Sequence, residues 1–175
     1  MIFVKIGNNP PMIKMSSIKT PAGTYSFLVE GDRVIAGGFD GFENLEHFLS
    51  DAQRKLPHKL VKSIEEVTPY LKEYCAGNFK ALSKIKVAQS GGEFYQKVWK
   101  NMRQITPGKI STYQELAQKS GNPRAMRAAG TACARNAIAL IVPCHRVIKS
   151  DGTLGNYAYG LWSKEELLKF EGYKK

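Results

Sequence analysis

Apolar residues in this chain fall into short, separated runs whose spacing outlines the elements. Residues 1–7 read as a short strand, followed by a polar stretch containing Pro10 and Pro11. Residues 24–29 and 33–38 alternate as two strands, and Glu30-Gly31-Asp32 between them predicts a hairpin. The period then becomes helical. Leu45, Phe48, Leu49, Ala52 and Leu56 share one face of a helix that Pro57 ends. Leu60, Ile64, Val67, Leu71 and Tyr74 mark a second helix, kinked at Pro69 and stopped by Gly77-Asn78. Residues 76–92 read as a linker closing at Ser90-Gly91-Gly92. The expected division is an N-terminal α/β support domain over 1–85, a joint at 86–92, and a second domain over 93–175.

In the second half Phe94, Val98, Met102 and Ile105 space a helix with Trp99 on its flank, and Thr106-Pro107-Gly108-Lys109 makes a turn. Ser111 and Gln114 form a capping box that opens a helix running to about Lys119 and stopping at Gly121. Asn122 caps the next helix, with Pro123 in its first position. Two helices joined by so short a glycine-containing turn predict a helix-turn-helix. The second of them, residues 123–134, carries Arg124, Arg127, Thr131 and Arg135 on one face. Ala125, Ala128, Ala129, Ala132 and Cys133 lie on the other, interrupted by Gly130. A mid-helix glycine costs about 0.8–1.0 kcal/mol relative to alanine, so close approach of another surface has to favour it. Ile138–Val142 and Val147-Ile148 then flank Pro143-Cys144-His145-Arg146, which reads as a buried strand-like segment with a fixed kink at the proline. A Gly/Tyr loop over 155–160 precedes a last helix, opened by a Ser163/Glu166 capping box and ending at Glu171 before Gly172.

Composition adds exclusions. Apolar content of 43% and charge of 23% describe an ordinary soluble protein, and no apolar run approaches the roughly 18 residues of a membrane span. No charged-then-apolar leader begins the chain, so the cytoplasm is expected, or the nucleus in a eukaryote. Three cysteines without a C-x-x-C pair speak against a disulfide framework and a zinc ribbon; neither a metal nor a cofactor is expected. Charge is more informative than composition. The net value is +11, yet residues 1–85 carry eleven Lys/Arg against nine Asp/Glu, while residues 86–175 carry fifteen against six. From Lys97 to Lys149 there are ten basic residues and one acid, Glu115. A polyanion is the expected partner, and nucleic acid is the commonest one.

Candidate chemistry centres on Cys144. Burial raises a thiol pKa above about 8.5, and a neighbouring base or cation lowers it, so burial competes here with His145 and Arg146. A packed core cysteine is the plainer alternative. The side-chain amide of Asn136, eight residues earlier, can tie adjacent turns together through backbone hydrogen bonds. The Gly/Tyr loop suits a flat ring. Glu171 stands at the negative end of a helix, where a cation is preferred, and His145 is its natural partner. The first half shows no such chemistry: His47 and His58 lie on polar faces, and Cys75 reads as a packed helix-end cysteine.

The segments IVPCHRV, RNAIAL before it and GNYAYGLWSKEELLKFEG after it closely resemble the O6-alkylguanine-DNA alkyltransferases. So do VW, PGKISTYQELA and GNPRAMRAAG, so that the resemblance runs from about Phe94 to Gly172 and weakens over the first 85 residues. It implies a fold of class α/β (α+β), with a small ribonuclease-H-like N-terminal domain and a mostly helical C-terminal domain containing the helix-turn-helix. It also implies single-turnover transfer of the alkyl group from O6-alkylguanine in double-stranded DNA to Cys144, with O4-alkylthymine as a further candidate lesion, by a monomer. Arg127 matches the family's finger, which fills the stack left by a flipped nucleotide, and Arg124, Ala125, Ala128, Thr131 and Arg135 accompany it on the minor groove. Tyr113 lines the pocket and donates its hydroxyl proton towards guanine N3. Glu171 polarises His145, which draws the Cys144 proton through a water, and Asn136 completes the catalytic set. Arg146, Val147, Tyr157 and Ala158 shape the pocket, with backbone groups around Cys144, Val147 and Ala158 reading the base edge. Some relatives carry serine where this chain has Ala158, which removes any hydroxyl contact there. Two alternatives use the same residues: a non-transferring relative that only binds the lesion, in which the cysteine is typically tryptophan, and a Cys-His hydrolase with Glu171 as third member.

Overall fold

The computed structural model describes residues 10–174; the strand expected over residues 1–7 lies outside the described residues. Strands β1 (Ile13–Thr20), β2 (Gly23–Glu30) and β3 (Arg33–Gly38) form an antiparallel meander, and β4 (His58–Leu60) pairs in parallel with β1. The sheet order is β3-β2-β1-β4. The β2–β3 hairpin falls where the alternation placed it. β1 does not: the polar stretch after Pro10 and Pro11 is a central strand of this sheet. Its two buried residues, Ile13 and Ser16, lie three apart and so face opposite sides of the sheet, and no apolar alternation marks either face.

Between β3 and β4 the expected single helix is broken into a 3-10 turn, Glu43–Phe48, and a one-turn helix α1 (Asp51–Arg54), because Ser50 and Gln53 close a capping box that starts a new element. Leu45 and Leu49 nonetheless cover one face of the sheet with Ile13, Leu28, Ile35 and Ala36. Helix α2 (Thr68–Cys75) starts at its proline instead of bending there; Pro69 lies in the first turn, where its missing N–H is harmless. Leu60, expected in this helix, sits in β4. The stretch read as a linker contains a 3-10 turn, Phe79–Lys84, with Ala81, Leu82 and Ile85 buried.

Helix α3 (Glu93–Met102) buries Val98, Trp99 and Met102, as its spacing required. β5 (Ser111–Thr112) pairs in parallel with β6 (Val147–Ile148). The cap of helix α4 (Tyr113–Lys119) is Thr112, with Glu115 as its box partner, and the Ser111 hydroxyl donates to the Glu115 carboxylate instead. Gln114, one residue off the expected role, donates to the Pro123 carbonyl at 2.7 Å. Helix α5 (Met126–Ala134) begins three residues later than the asparagine and proline suggested. Asn122 accepts from the Arg124 N–H at 3.1 Å in a local turn, so Arg124 and Ala125 precede the helix. In helix α6 (Leu161–Phe170) Ser163 is buried inside the first turns and no capping box with Glu166 forms; the helix springs from Gly160 at φ +86°. Its end is as expected. Glu171 is the cap, and Gly172 at φ +85° lets Tyr173 N–H reach the Leu168 carbonyl at 2.9 Å, a Schellman closure.

One continuous core joins the two halves, running from Tyr25, Phe27 and Val29 through Leu71 and Tyr74 to Trp99, Ala129, Ile138 and Leu167. Among the described residues, no helix is long and apolar enough to cross a membrane.

Candidate active site

The segment around the cysteine is not a strand. Ile138 makes one bridge to Gly37, after which the chain folds on itself: Ile141 N–H bonds to Ala139 O, Val142 N–H to Ile138 O and Cys144 N–H to Val142 O, each at 2.9 Å. Leu140 takes φ +69°, unusual for a residue with a Cβ, and is held there by complete burial. Cys144–Arg146 then forms a 3-10 turn. At about 120° per residue such a turn sends successive side chains to different sides. Cys144 faces a cavity; His145 and Arg146 face the core.

The cavity, of about 420 Å³, has Cys144 in its wall. Tyr113, Gly130, Cys133, Ala134 and Asn136 line it together with Gly155 through Tyr159, and Phe48, Ala139 and Lys149 complete it. A larger groove of about 570 Å³ between Val87–Gln89 and α3 is lined by no cysteine or histidine. Gly130 lines the cavity, yet a Cβ there would stand 3.9 Å from Tyr113, an ordinary contact, so no close approach among the described residues requires the glycine. Tyr159 packs edge-on against Phe39, with centroids 5.4 Å apart, and against Tyr157 at 5.6 Å. Burial, with Cys133 and Cys144 nearby, pushes the Tyr113 hydroxyl up to about 12, so it keeps its proton at neutral pH.

Behind the cysteine lies a buried ionic cluster. His145 is fully buried, and its Nε2 lies 3.0 Å from Glu171 Oε1. Arg146 grips the same carboxylate through Nε (2.7 Å) and Nη2 (2.9 Å) and donates Nη1 to the Ile105 carbonyl. Tyr74 adds its hydroxyl to Glu171 Oε1 at 2.9 Å. Burial opposes the charge on Glu171, but His145 and Arg146 outweigh it and pull the carboxyl down to about 2. Burial lowers the His145 pKa despite Glu171, so the ring is neutral. A carboxylate only accepts, so Nε2 donates; Nδ1 is the acceptor nitrogen, and it has no partner among the described side chains and backbone.

The contest over the thiol involves different residues from those adjacent in sequence. Burial raises the Cys144 pKa; the Asn136 amide and the Lys164 ammonium pull it back. Asn136 donates Nδ2 to Cys144 Sγ at 3.3 Å and to the Val142 carbonyl at 2.7 Å. Lys164, completely buried, donates to the carbonyls of Val147 (2.7 Å) and Leu154 (2.5 Å). Burial lowers its pKa, partly countered by Cys144 and Cys133.

Several expectations need correcting. Arg146 does not shape the pocket, because its guanidinium is turned into the core onto Glu171. Val147 is outside the cavity wall too: its side chain is buried and its carbonyl holds Lys164. Tyr157 and Ala158 do line the cavity. Glu171 has three side-chain partners, not His145 alone. Tyr74 shows that the first half contributes to the site; nothing in its helical spacing distinguished it from a core tyrosine. Lys164 was hidden in a charged run, although a lysine three residues before Leu167 on the apolar face of α6 was a usable signal. Arg127, Thr131 and Arg135 are exposed, Arg135 over the Tyr95 ring, whereas Ala129 and Ala132 pack inward, where Trp99 donates to the Ala132 carbonyl at 2.9 Å.

The chain is similar to known proteins. Residues 93–173 match the family described as "6-O-methylguanine DNA methyltransferase, DNA binding domain". The chain is similar to a methylated-DNA–protein-cysteine methyltransferase of Methanosarcina acetivorans, with 41% identity over 145 residues, covering 81% of this chain and 92% of that one. Its fold is similar to that of the Mycobacterium tuberculosis O6-methylguanine methyltransferase, at TM-score 0.73 and 29% identity over 92% of this chain and 93% of that one. A structure of Mycobacterium tuberculosis OGT in complex with DNA matches at TM-score 0.73 and 28% identity over 91% and 92% of the two chains. With a thiol, a buried His–Glu–Arg cluster and this likeness over nearly the whole length, the chain belongs to the methylated-DNA–protein-cysteine methyltransferase family.

Proposed function

We propose that this protein repairs double-stranded DNA by direct reversal, moving the alkyl group of O6-alkylguanine onto Cys144 in a single turnover. The observation that carries this reading is the placement of Cys144: a thiol in the wall of a ring-sized, tyrosine-lined cavity, with a neutral imidazole and a buried carboxylate behind it. The His145 Nδ1 takes the thiol proton through a bridging water, since no hydrogen bond joins ring and sulfur directly, and Glu171 stabilises the imidazolium that results. The Cys144 sulfur attacks the alkyl carbon in line, the carbon–oxygen bond breaks, and its electron pair passes to the purine. Tyr113, protonated at neutral pH, supplies a proton towards guanine N3. The thioether formed has no easy leaving group, so the protein is not regenerated.

Access requires the base to leave the duplex, at a cost of a few kcal/mol that damage lowers. In this reading α4 and α5 act as the helix-turn-helix, with Arg127 filling the gap and Arg124, Thr131 and Arg135 on phosphates. Residues 1–85 act as the support domain and 93–175 as the domain that binds and reacts. A lesion-binding relative that does not transfer has no use for the thiol, and a hydrolase needs its base on the nucleophile and an oxyanion hole.

Mass spectrometry after incubation with O6-methylguanine DNA tests the reading. The expected result is a gain of one methyl on the peptide carrying Cys144, lost in Cys144→Ala while DNA binding persists. Continued transfer by Cys144→Ala, or hydrolytic turnover of an ester by the wild type, overturns it.

A further inference from the structure

An asparagine side chain is nearly symmetric in shape, so the surrounding fold has to decide which end of the Asn136 amide meets the Cys144 sulfur. An NH2 there donates to a thiolate; an oxygen there repels it. Two donors settle the matter. Asn136 Oδ1 accepts from the Ile138 N–H at 3.1 Å and from Gln89 Nε2 at 3.2 Å, leaving Nδ2 for Cys144 Sγ and the Val142 carbonyl. The Gln89 amide is oriented in turn, because its Oε1 accepts from the Ala137 N–H at 2.8 Å. We infer that Gln89 is a positioning residue for alkyl transfer, fixing the Asn136 amide with its NH2 on the reactive sulfur. This rests on Cys144 being the alkyl acceptor.

Gln89 lies in the segment between the two halves of the chain, and the edge of β3 puts it there. Val34 N–H bonds to Lys86 O and Ala88 N–H returns to Val34 O, both at 2.9 Å. Three residues along the same strand, Gly37 receives the active-site segment: Gly37 N–H to Ala137 O at 2.8 Å and Ala139 N–H to Gly37 O at 2.9 Å. Helix α3 adds a clamp, with Gln96 Nε2 on the Gln89 carbonyl at 2.7 Å. The sheet edge therefore holds Gln89 and Asn136 in mutual register. Gln89, the Ile138 N–H and the Val142 carbonyl thus act together in holding the NH2 end of Asn136 at the sulfur.

The substitution Gln89→Glu tests this support. One carboxylate oxygen still accepts from the Ala137 N–H, so the segment stays paired. The other opposes Asn136 Oδ1, and this clash of two acceptors displaces the amide and weakens its donation to the sulfur, while the Ile138 N–H and the Val142 carbonyl keep its polarity. Two readouts are measured: capture of Cys144 by iodoacetamide across the pH range of thiol ionisation, and methyl transfer from O6-methylguanine DNA. The other titratable or charged groups around the thiol are Lys164, Cys133, His145, the cavity-lining Lys149 and the phenols of Tyr25, Tyr113, Tyr157 and Tyr159. They are common to all variants. Gln89→Glu is expected to displace the capture profile towards alkaline pH by about one unit and to slow transfer at neutral pH about tenfold. Gln89→Ala, which adds no charge and leaves Ile138 in place, is expected to displace it the same way by less. In an Asn136→Ala background, Gln89→Glu is expected to add no further displacement, as a shared path requires.

An unmoved capture profile in Gln89→Glu or Gln89→Ala, whatever the melting temperature does, overturns the assignment and leaves Gln89 a structural residue. Full further displacement in the Asn136→Ala background overturns it as well, since the new charge would then act on the thiol directly. Capture by iodoacetamide involves no DNA. Failure of the repair reading therefore appears separately, as absence of methyl transfer to the wild-type protein.

Discussion

Cys144 and His145 are neighbours in sequence and opposites in environment. On the core side of their 3-10 turn, Glu171 is held by four hydrogen bonds from three residues, and the charges of Glu171 and Arg146 are paired at 2.7 Å. On the cavity side, the thiol has one side-chain donor, and the Tyr157 hydroxyl is buried with no partner among the described groups. The same few ångströms of chain thus separate a fully partnered carboxylate from an under-satisfied pocket, with His145 Nδ1 left open between them. The difference is informative about mechanism. A carboxylate that must stay ionised while its histidine gains charge has to be pinned, whereas a pocket that accepts a ligand has to leave groups unmet.

The sharpest way to break this comparison is to remove the pinned charge. Glu171→Gln leaves Arg146 buried without its carboxylate, and removing one partner of a buried pair costs about 3–5 kcal/mol. The pH dependence carries a sign. The Glu171 pKa in the folded chain is about 2, against an unfolded value of about 4.3. Its depressed pKa stabilises the fold above the unfolded value, by about 3 kcal/mol, and that contribution is lost as pH falls from about 4.3 towards 2. Urea unfolding across that interval should show an acid limb in the wild type that is reduced in Glu171→Gln. Equal limbs would mean that the carboxylate is not held by its partners.

A matched pair of smaller changes sharpens the contrast. Tyr74→Phe removes a hydroxyl from a charged acceptor, and is expected to cost about 1–2 kcal/mol in urea unfolding. His145 and Arg146 keep Glu171 in place, so transfer should survive. Tyr157→Phe removes a hydroxyl that meets no partner, which is expected to leave stability within about 0.5 kcal/mol of the wild type or raise it slightly. If both phenylalanines destabilised equally, the cavity side would be as well compensated as the core side, and the distinction drawn between them would fall.

Much of this was legible in the chain itself. Local rules act over a few residues, so the β2–β3 hairpin, α3, the end of α6 and the turn at Gly121 could be read from alternation, helical spacing and glycine placement. The charge imbalance, the exposed arginines of α5 and the reactive cysteine beside a histidine were likewise visible, and they point to nucleic acid and thiol chemistry without any fold. Element starts were read less well, because adjacent hydroxyl residues offer the same cap chemistry and only the path of the chain selects between them: Thr112, not Ser111, accepts from the Glu115 N–H.

Only tertiary structure decided which side chains meet. Arg146 was read as part of the pocket because it adjoins Cys144, yet a 3-10 turn rotates it into the core, 2.7 Å from Glu171. Tyr74 and Glu171 are 97 residues apart and share a hydrogen bond; Gln89 and Asn136 are 47 apart and share another. Lys164 reaches the carbonyls of Val147 and Leu154 from a helix whose sequence looks ordinarily charged. Sequence records residue type and local period, which suffice for elements and for candidate chemistry. Hydrogen bonds and ion pairs depend on distance and direction in space, and these exist only once the β3 edge, the turn at Cys144 and the helices are packed around one core.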